Sequence, residues 1–358
     1  MPEAFTCNQE IVAVARKNLT QDVWDYLTGA AESETTLRRN RYALDKIAFL
    51  PRILRDVSKI DPSVNFLGHR LRIPVILAPI GSLQAITDGG GASACRAAAA
   101  FGTIAMVSSI TLPSLEECAA AANGPKFFQL YVRGDKEWIK DVLHRAKAAG
   151  YGALALTVDS ALYGIRERQL MNRYQPPSVR TQTNRHLQSA ITWELMDWIR
   201  EVWNGPFMLK GVATAADTKM AIERGVDIIY VSNHGGRQLD YCRGTVEALP
   251  DIVGAAAGQA KIVVDGGFLR GSDVVKALAL GANVIAIGRM QGWALAAGGA
   301  DGLICCLEYI EREITNSLGL LGLASFAELT SEYVCKSDVV GICHEMSTFT
   351  HLPGGRLV

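Results

Sequence analysis

Short apolar segments alternate with amphipathic segments along most of the chain. Eight segments rich in Val, Ile, Leu and Ala show no polar alternation, which is typical of strands buried on both faces. They span residues 74–79, 103–107, 127–132, 153–158, 207–209, 227–231, 261–264 and 283–287. Amphipathic stretches between them, such as residues 136–149, 215–224 and 272–280, predict helices. The pattern therefore indicates a repeated strand–helix unit.

Eight such units predict an α/β fold of the (β/α)8, or TIM-barrel, type. We expect one domain over residues 1–358, with N-terminal helices at about 8–60, the barrel at about 74–300, C-terminal helices at about 301–335 and a tail. A doubly wound open sheet is the alternative, but the first strand is not followed by Gly-x-Gly-x-x-Gly.

Local signals add detail to this prediction. Thr20 and Gly29 are expected to cap a helix over residues 21–28, and residues 35–46 have helical spacing. The segment between strands four and five, about 160–205, is long and includes a polar patch at 178–189. A loop of this length is expected to cover the barrel mouth.

Charge and cysteine usage exclude several function classes. Among 358 residues, 36 Lys and Arg balance 36 Asp and Glu, so no net field attracts nucleic acid or an anionic membrane. None of the eight cysteines, Cys343 included, has metal-site spacing, and we expect reduced thiols and no metal. The sequence lacks a signal-peptide pattern, a membrane span or the usual peroxisomal ending, so we expect a cytoplasmic protein without membrane partners.

The sixth strand ends in Ser-Asn-His-Gly-Gly-Arg-Gln-Leu-Asp, residues 232–240. His234 can exchange a proton near neutral pH, and Arg237 offers a planar fork of donors for a carboxylate. Gly235 and Gly236 permit a tight turn between them. This combination favours chemistry on a small acid over a capped surface loop.

Other polar residues also follow the predicted strands, and in a TIM barrel these strand ends meet on the active-site face. Each has a structural alternative: Lys210 as a salt-bridge partner, Asp159 as an N-cap, Tyr131 as barrel packing and the Gly266-Gly267 pair as an ordinary turn. As a set they predict a site for a large planar or phosphorylated ligand together with a small acid.

These motifs resemble those of the FMN-dependent 2-hydroxy acid oxidases and dehydrogenases, a family that includes glycolate oxidase, lactate oxidase and mandelate dehydrogenase. The resemblance rests on residues 227–240, Lys210-Gly211, Gln129-Leu130-Tyr131 and Asp265-Gly266-Gly267, and it extends from about residue 8 to about 335. It implies oxidation of an L-2-hydroxy acid to the 2-oxo acid, with FMN as cofactor. Removing two electrons independently requires an electron sink that protein side chains do not supply.

The resemblance also implies residue roles. His234 would be the base, Asp159 would pair with its imidazolium, and Tyr131 would bind the substrate oxygen. Arg237 and Tyr26 would hold the carboxylate, with Arg166 as a second guanidinium, and Lys210 would stabilise negative charge on the reduced flavin. The FMN-binding set would be Ile80, Gly81, Ser108, Gln129, Thr157, Lys210, Ser232, Asp265, Gly266, Gly267, Arg270, Gly288 and Arg289.

Three positions depart from the family pattern. Leu269 stands where the family has a phosphate-binding arginine. Either Arg270 takes over that role from the next position, or FMN binds less tightly. Ile110 stands where glycolate oxidases have Trp, and Gly81 where many oxidases have Ala. Smaller groups at the last two positions predict a substrate bulkier than glycolate, aromatic or branched.

Two alternatives to this function stay open at the level of sequence. One is a Schiff-base lyase with Lys210 as nucleophile, and the other is a flavin-binding barrel that has lost turnover. The sequence does not distinguish among oxygen, a quinone and a carrier protein as the electron acceptor. The resemblance further implies a homo-oligomer, a tetramer.

Overall fold

The computed structural model describes residues 5–180, 186–341 and 344–350. Three helices open the chain: α1 (Asn8–Asn18), α2 (Gln21–Thr28) and α3 (Thr35–Asp45). Thr20 and Gly29 flank α2 as predicted, and α3 agrees with the predicted helix at 35–46. Cys343, part of the 178–189 patch and the tail beyond 350 lie outside the described residues.

After α3 come two short pairs of antiparallel strands that the sequence did not predict. Strand β1 (Ile47–Phe49) pairs with the last strand near the C-terminus, and β2 (Val64–Phe66) forms a hairpin with β3 (His69–Leu71). Leu67 and Gly68 take the turn with positive φ values of 49° and 80°. Such a turn matches the twist of a two-residue hairpin.

The next eight strands are parallel and close into a barrel in the order β10-β11-β4-β5-β6-β7-β8-β9. They are β4 (Val75–Leu77), β5 (Ala105–Ser108), β6 (Lys126–Leu130), β7 (Ala153–Thr157), β8 (Phe207–Val212), β9 (Ile228–Val231), β10 (Lys261–Val264) and β11 (Val284–Ile287). Every predicted strand is confirmed, and the closed barrel excludes the open-sheet alternative.

Helices surround this barrel and cover its outer face. They are α4 (Gly90–Phe101), α5 (Leu115–Ala120), α6 (Lys136–Ala148), α7 (Glu167–Met171), α8 (Pro177–Arg180), α9 (His186–Ser189), α10 (Trp193–Trp203), α11 (Ala215–Glu223), α12 (Thr245–Ala256), α13 (Gly271–Ala279) and α14 (Arg289–Leu321), before strand β12 (Val334–Lys336). Side-chain caps fix several starts; for example, Asp135 accepts a 2.9 Å hydrogen bond from the Trp138 amide.

Apolar side chains fill the barrel from one end. Met106, Phe127 and Met208 lie inside, and Phe66 and Leu71 of the hairpin close the end at which the strands begin. The Phe66 and Phe127 rings lie 6.3 Å apart between centroids. The opposite end, where the strands finish, is therefore left for polar residues.

Helix α14 is long and apolar enough to cross a membrane by length and composition alone. It breaks at Gly298 and Gly299, close to the predicted end of the barrel region, and packs against α1, α4 and α13. Half of its most apolar window is buried against the rest of the chain, as in a core helix.

Candidate active site

The turn after β9 holds three consecutive residues in the left-handed region. His234, Gly235 and Gly236 have φ values of 58°, 63° and 79°. A Cβ on Gly236 would lie 2.6 Å from the Leu37 amide nitrogen, so the α3 backbone leaves no space for a side chain there. Asn233 ties this turn to α3 through Asn40, whose Nδ2 donates to the Asn233 Oδ1 at 3.0 Å. The strain at His234 is thus held by its surroundings, as is common at functional sites.

His234 lies between Asp159 and Tyr131. Its Nδ1 is 2.9 Å from the Asp159 Oδ1, and its Nε2 is 3.2 Å from the Tyr131 hydroxyl. Burial lowers the pKa of His234 and outweighs the Asp159 carboxylate, which raises it. The pKa of Asp159 falls to about 2, because His234 and Lys210 outweigh the burial that would raise it. A neutral imidazole with its proton on Nδ1 leaves the Nε2 lone pair as the base.

Two guanidinium groups and a phenol share the cavity with His234. Arg237 donates to the Gly29 carbonyl at 2.8 Å and lies over the Tyr26 ring, 5.1 Å from its centroid. Arg166 donates to the Arg237 carbonyl at 3.1 Å. Burial, with the nearby Arg237 charge, lowers the pKa of Arg166 to about 10. Within the described ranges no carboxylate pairs with either guanidinium, and desolvated like charges of this kind favour an anionic ligand.

Lys210 at the end of β8 is buried beneath this cluster. Its Nζ lies 3.2 Å from the Ser232 hydroxyl and 3.9 Å from the Asp265 Oδ2. The other Asp265 oxygen, Oδ1, is buried without a hydrogen-bond partner among the described residues. A hydroxyl-bearing ligand would satisfy that oxygen.

Three further predicted residues form a hydrogen-bonded chain across neighbouring strands. The Ser108 hydroxyl donates to the Gln129 Oε1 at 2.6 Å, and the Gln129 Nε2 donates to the Thr157 hydroxyl at 2.8 Å. The chain fixes the amide orientation of Gln129 at the end of β6.

A cavity of about 580 Å³ opens at this end of the barrel, a size typical of cofactor sites. Thirteen of the predicted site residues line it: Tyr26, Ile80, Gly81, Tyr131, Arg166, Lys210, His234, Arg237, Asp265, Gly266, Gly267, Gly288 and Arg289. Ser108, Gln129, Thr157, Asp159, Ser232 and Arg270 are not among the lining residues. Residues 160–163 and 178–179 of the long loop also contribute to its wall, which agrees with the predicted position of that loop.

Arg270 does not occupy the place expected for it at the phosphate end. Its guanidinium binds the Glu313 carboxylate at 2.7 Å and the Thr348 carbonyl at 3.0 Å, whereas Leu269 lines the cavity. The position preceding Gly271 is the N-cap of α13, which directs Arg270 toward α14. The structure therefore does not support the expectation that Arg270 takes over the role of the phosphate-binding arginine that is absent at position 269.

Arg289 remains the cation of that end. It donates to the carbonyls of Thr28, Gly29 and Gly235 at 2.9–3.0 Å. Burial, with the nearby Arg237, lowers its pKa to about 9. A Cβ on Gly288, the residue before it, would have no atom within 4 Å, so the glycine leaves open space beside this cation.

The two small positions expected to enlarge the pocket are not independent. A Cβ built on Gly81 would lie 2.6 Å from the Ile110 Cδ1 and 2.8 Å from its Cγ1. Ile110 thus fills the space that alanine would take at position 81. Of the two positions, only Ile110 therefore bears on the volume of the pocket.

Several contributing residues were missed by sequence reasoning. Ser160 lies 3.4 Å from the His234 Nδ1, and Gln188 accepts the Val132 amide at 2.8 Å. Arg133 also lines the cavity. Ser160 directly follows Asp159 and Arg133 comes two residues after Tyr131, a signal that could have found them. Gln188 lies in the polar patch at 178–189, but nothing in that patch distinguishes it from its neighbours.

The residues present suit a flavin mononucleotide. Lys210 supplies a buried cation, the Asp265 Oδ1 an unsatisfied acceptor and Arg289 a cation beside the open space at Gly288. Leu269 lines the cavity and contributes no charge to it. Among the described residues, no group of three or more His, Cys, Asp or Glu could hold a metal ion.

Comparisons with known proteins agree with this geometry. A sequence profile of the FMN-dependent dehydrogenase family matches residues 15–336. Glycolate oxidase 5 of Oryza sativa subsp. japonica is 38% identical over 93% of this chain and 96% of its own length. Glycolate oxidase 1 of Zea mays is 38% identical over 91% and 94%.

Solved structures extend the likeness to the fold. A mandelate oxidase variant with (S)-mandelic acid superposes with a TM-score of 0.87 and 33% identity, covering 94% of this chain and 99% of that one. A variant of an (S)-mandelate dehydrogenase chimera gives a TM-score of 0.88 and 31% identity over 92% and 99%. With its barrel, His234 turn and cofactor-sized cavity, this chain belongs to the FMN-dependent dehydrogenase family, whose members are 2-hydroxy acid oxidoreductases.

Proposed function

We propose that this protein oxidises an L-2-hydroxy acid to the 2-oxo acid at the His234 site. The observation that supports this most directly is the neutral imidazole held between Asp159 and Tyr131 in a cavity shared with Arg237 and Arg166. The two desolvated cations can hold the substrate carboxylate while the base removes a proton from the hydroxyl or the α-carbon beside it.

The side chains divide the work. Arg237, Arg166 and Tyr26 bind the substrate carboxylate and orient the carbon that bears the hydroxyl. Tyr131 binds the substrate oxygen, and the His234 Nε2 takes a proton from the hydroxyl or the α-carbon. Asp159 stabilises the imidazolium that results.

When bound, FMN would supply the electron sink that this oxidation requires. Lys210, Asp265, Gly288 and Arg289 would hold it, and Ser108, Gln129 and Thr157 would contribute from neighbouring strand ends. The buried Lys210 ammonium would stabilise negative charge on the reduced cofactor. Oxygen, a quinone and a carrier protein are the candidate electron acceptors, and oxygen uptake measured beside dye reduction tests the first of them.

An absorption spectrum of the purified holoprotein tests the assignment. We expect flavin bands that bleach anaerobically when a 2-hydroxy acid is added. His234→Gln should keep the bands and lose the bleaching. A variant that bleaches at the normal rate would refute the base assignment, and borohydride trapping of substrate on Lys210 would support a lyase instead.

The substrate is proposed to be bulkier than glycolate, because Ile110 leaves volume in the cavity wall. The likeness to structures of mandelate oxidase and mandelate dehydrogenase supports this proposal, whereas the likeness to glycolate oxidases does not distinguish it. Turnover of glycolate, lactate and mandelate should rise with side-chain size. A strong preference for glycolate would contradict it.

A further inference from the structure

Arg133 lines the same cavity as the catalytic residues but belongs to a different wall. It follows β6, two residues after Tyr131, and its Nη2 donates to the Ser178 carbonyl at 2.6 Å. The Ser178 amide donates to the Ser82 hydroxyl at 2.9 Å, and the neighbouring Gly81 carbonyl accepts the Tyr26 hydroxyl at 2.7 Å. Ser178 and the Gly81-Ser82 pair therefore connect the Arg133 guanidinium to Tyr26 at the substrate end of the cavity.

No carboxylate of the described residues offsets the charge of Arg133. The side chain is half-buried, and burial lowers its pKa. Among the described residues no carboxylate forms an ion pair with it, and residues 181–185 include no Asp or Glu. Its only hydrogen bond within the described ranges is the one to Ser178. A guanidinium has five N–H donors, so most of its capacity remains available to a ligand.

Arg133 also has different partners from the cations assigned to the substrate carboxylate. Arg166 and Arg237 are joined directly, since the Arg166 Nε donates to the Arg237 carbonyl at 3.1 Å, and Arg237 lies over the Tyr26 ring. Arg133 donates instead to the Ser178 carbonyl of the long loop. The cavity therefore offers a second position for an anion, at Arg133.

We propose that Arg133 is a specificity-determining residue that binds a second carboxylate at the far end of the substrate, so that the preferred substrates are 2-hydroxy dicarboxylic acids. This inference rests on the proposed function. A planar guanidinium pairs with a carboxylate through two parallel hydrogen bonds, which is stronger than its bond to a carbonyl. The extra bulk accommodated beside Ile110 is then the carbon chain between two carboxylates.

Matched substrate pairs test the proposal on the holoenzyme. Malate is compared with 2-hydroxybutanoate, and 2-hydroxyglutarate with 2-hydroxypentanoate, because each pair differs by a carboxylate in place of a methyl group. We expect kcat/KM to favour the diacid of at least one pair by about tenfold or more, in the range of one charge-assisted hydrogen bond. Arg133→Met should abolish this preference mainly through KM and leave the monoacids within about twofold, whereas Arg133→Lys should retain part of it.

A binding measurement and a control keep the outcome clear. Perturbation of the flavin spectrum by 2-oxoglutarate and by 2-oxopentanoate should show the same preference and the same loss in Arg133→Met. Arg70→Met is the control, because Arg70 is an exposed arginine on the hairpin at the opposite end of the barrel.

The two levels of the proposal fail in different ways. If no 2-hydroxy acid bleaches the flavin, the proposed function itself is wrong. If the monoacids bleach it but the diacids are not preferred, or if Arg133→Met keeps the preference, Arg133 does not bind a second carboxylate. A preference for 4-hydroxymandelate over mandelate that is lost in Arg133→Met would show that Arg133 binds a hydroxyl group, and it would also overturn the diacid assignment.

Discussion

Replacing Gly81 with alanine should couple the stability of the protein to its choice of substrate. The new Cβ would lie 2.6 Å from the Ile110 Cδ1, which must retreat by roughly 0.8 Å to reach the 3.4 Å of ordinary contact. The Ser178 hydroxyl is already at 3.9 Å and need not move. Ile110 lines the cavity, so its displacement changes the volume available to the substrate.

The magnitude follows from which atom must move. Overpacking a site costs about 1–3 kcal/mol, and the clash here involves the end of a half-buried side chain that can rotate. We therefore expect Gly81→Ala to lower the free energy of unfolding by about 1 kcal/mol. An Ile110 side chain displaced into the cavity should reduce kcat/KM for mandelate relative to glycolate by about tenfold or more, the effect of one methylene in an apolar pocket.

A double-mutant cycle with Ile110→Ala measures the coupling. Urea unfolding of the apoprotein gives the stability of each variant, and kcat/KM on glycolate and mandelate gives its selectivity. In the Ile110→Ala background, Gly81→Ala should cost nothing measurable and should not change selectivity, a coupling of about 1 kcal/mol. Equal costs in both backgrounds would show that Ile110 does not limit position 81.

Three further perturbations test other parts of the site. Asp159→Asn removes the carboxylate that raises the pKa of His234. The acidic limb of the kcat/KM profile, already below pH 6.5, should therefore move to lower pH, and the plateau should fall by about 100-fold or more. An unchanged profile would refute the pairing of Asp159 with His234. Leu269→Arg should tighten FMN binding to the apoprotein by about tenfold in a flavin fluorescence titration, with Leu269→Met unchanged. Arg41→Met strands the buried Asp273 carboxylate, which Arg41 binds at 2.8 Å with both terminal nitrogens, and should cost about 3–5 kcal/mol in urea unfolding. Arg41→Met with Asp273→Asn, which removes the charge but keeps an oxygen for the Leu269 and Arg270 amides, should recover part of that loss.

The barrel could be predicted because its strands are buried on both faces and carry an unmistakable apolar pattern. All residues of β6 and β7 are buried, for example, and the sequence contains no polar alternation there. The hairpin of β2 and β3 could not be found in the same way. Its strands have three residues each, and their burial depends on the Phe127 ring inside the barrel rather than on any local pattern.

The structure brings together those predicted site residues that a strand end supplies directly. His234 and Lys210 lie where the order of strands around the barrel places them. Arg270 was misplaced because its direction depends on Glu313 of α14 and on the segment near Thr348, both distant in the chain. Contacts of this kind depend on tertiary packing, and the local motif carries no information about them.

Unfavourable local energetics are concentrated at one end of this barrel. His234 adopts a left-handed backbone, the Asp265 Oδ1 is buried without a partner among the described residues, and burial lowers the pKa of both Arg166 and Arg289. An anion or a hydroxyl-bearing ligand would relieve or use each of these features, which marks this end of the barrel as the binding end. The opposite end contains the apolar plug of Phe66 and its neighbours, which supplies stability without taking part in binding. Because a TIM barrel separates the two ends, residues that would bind a ligand and residues that stabilise the fold occupy different positions and do not compete.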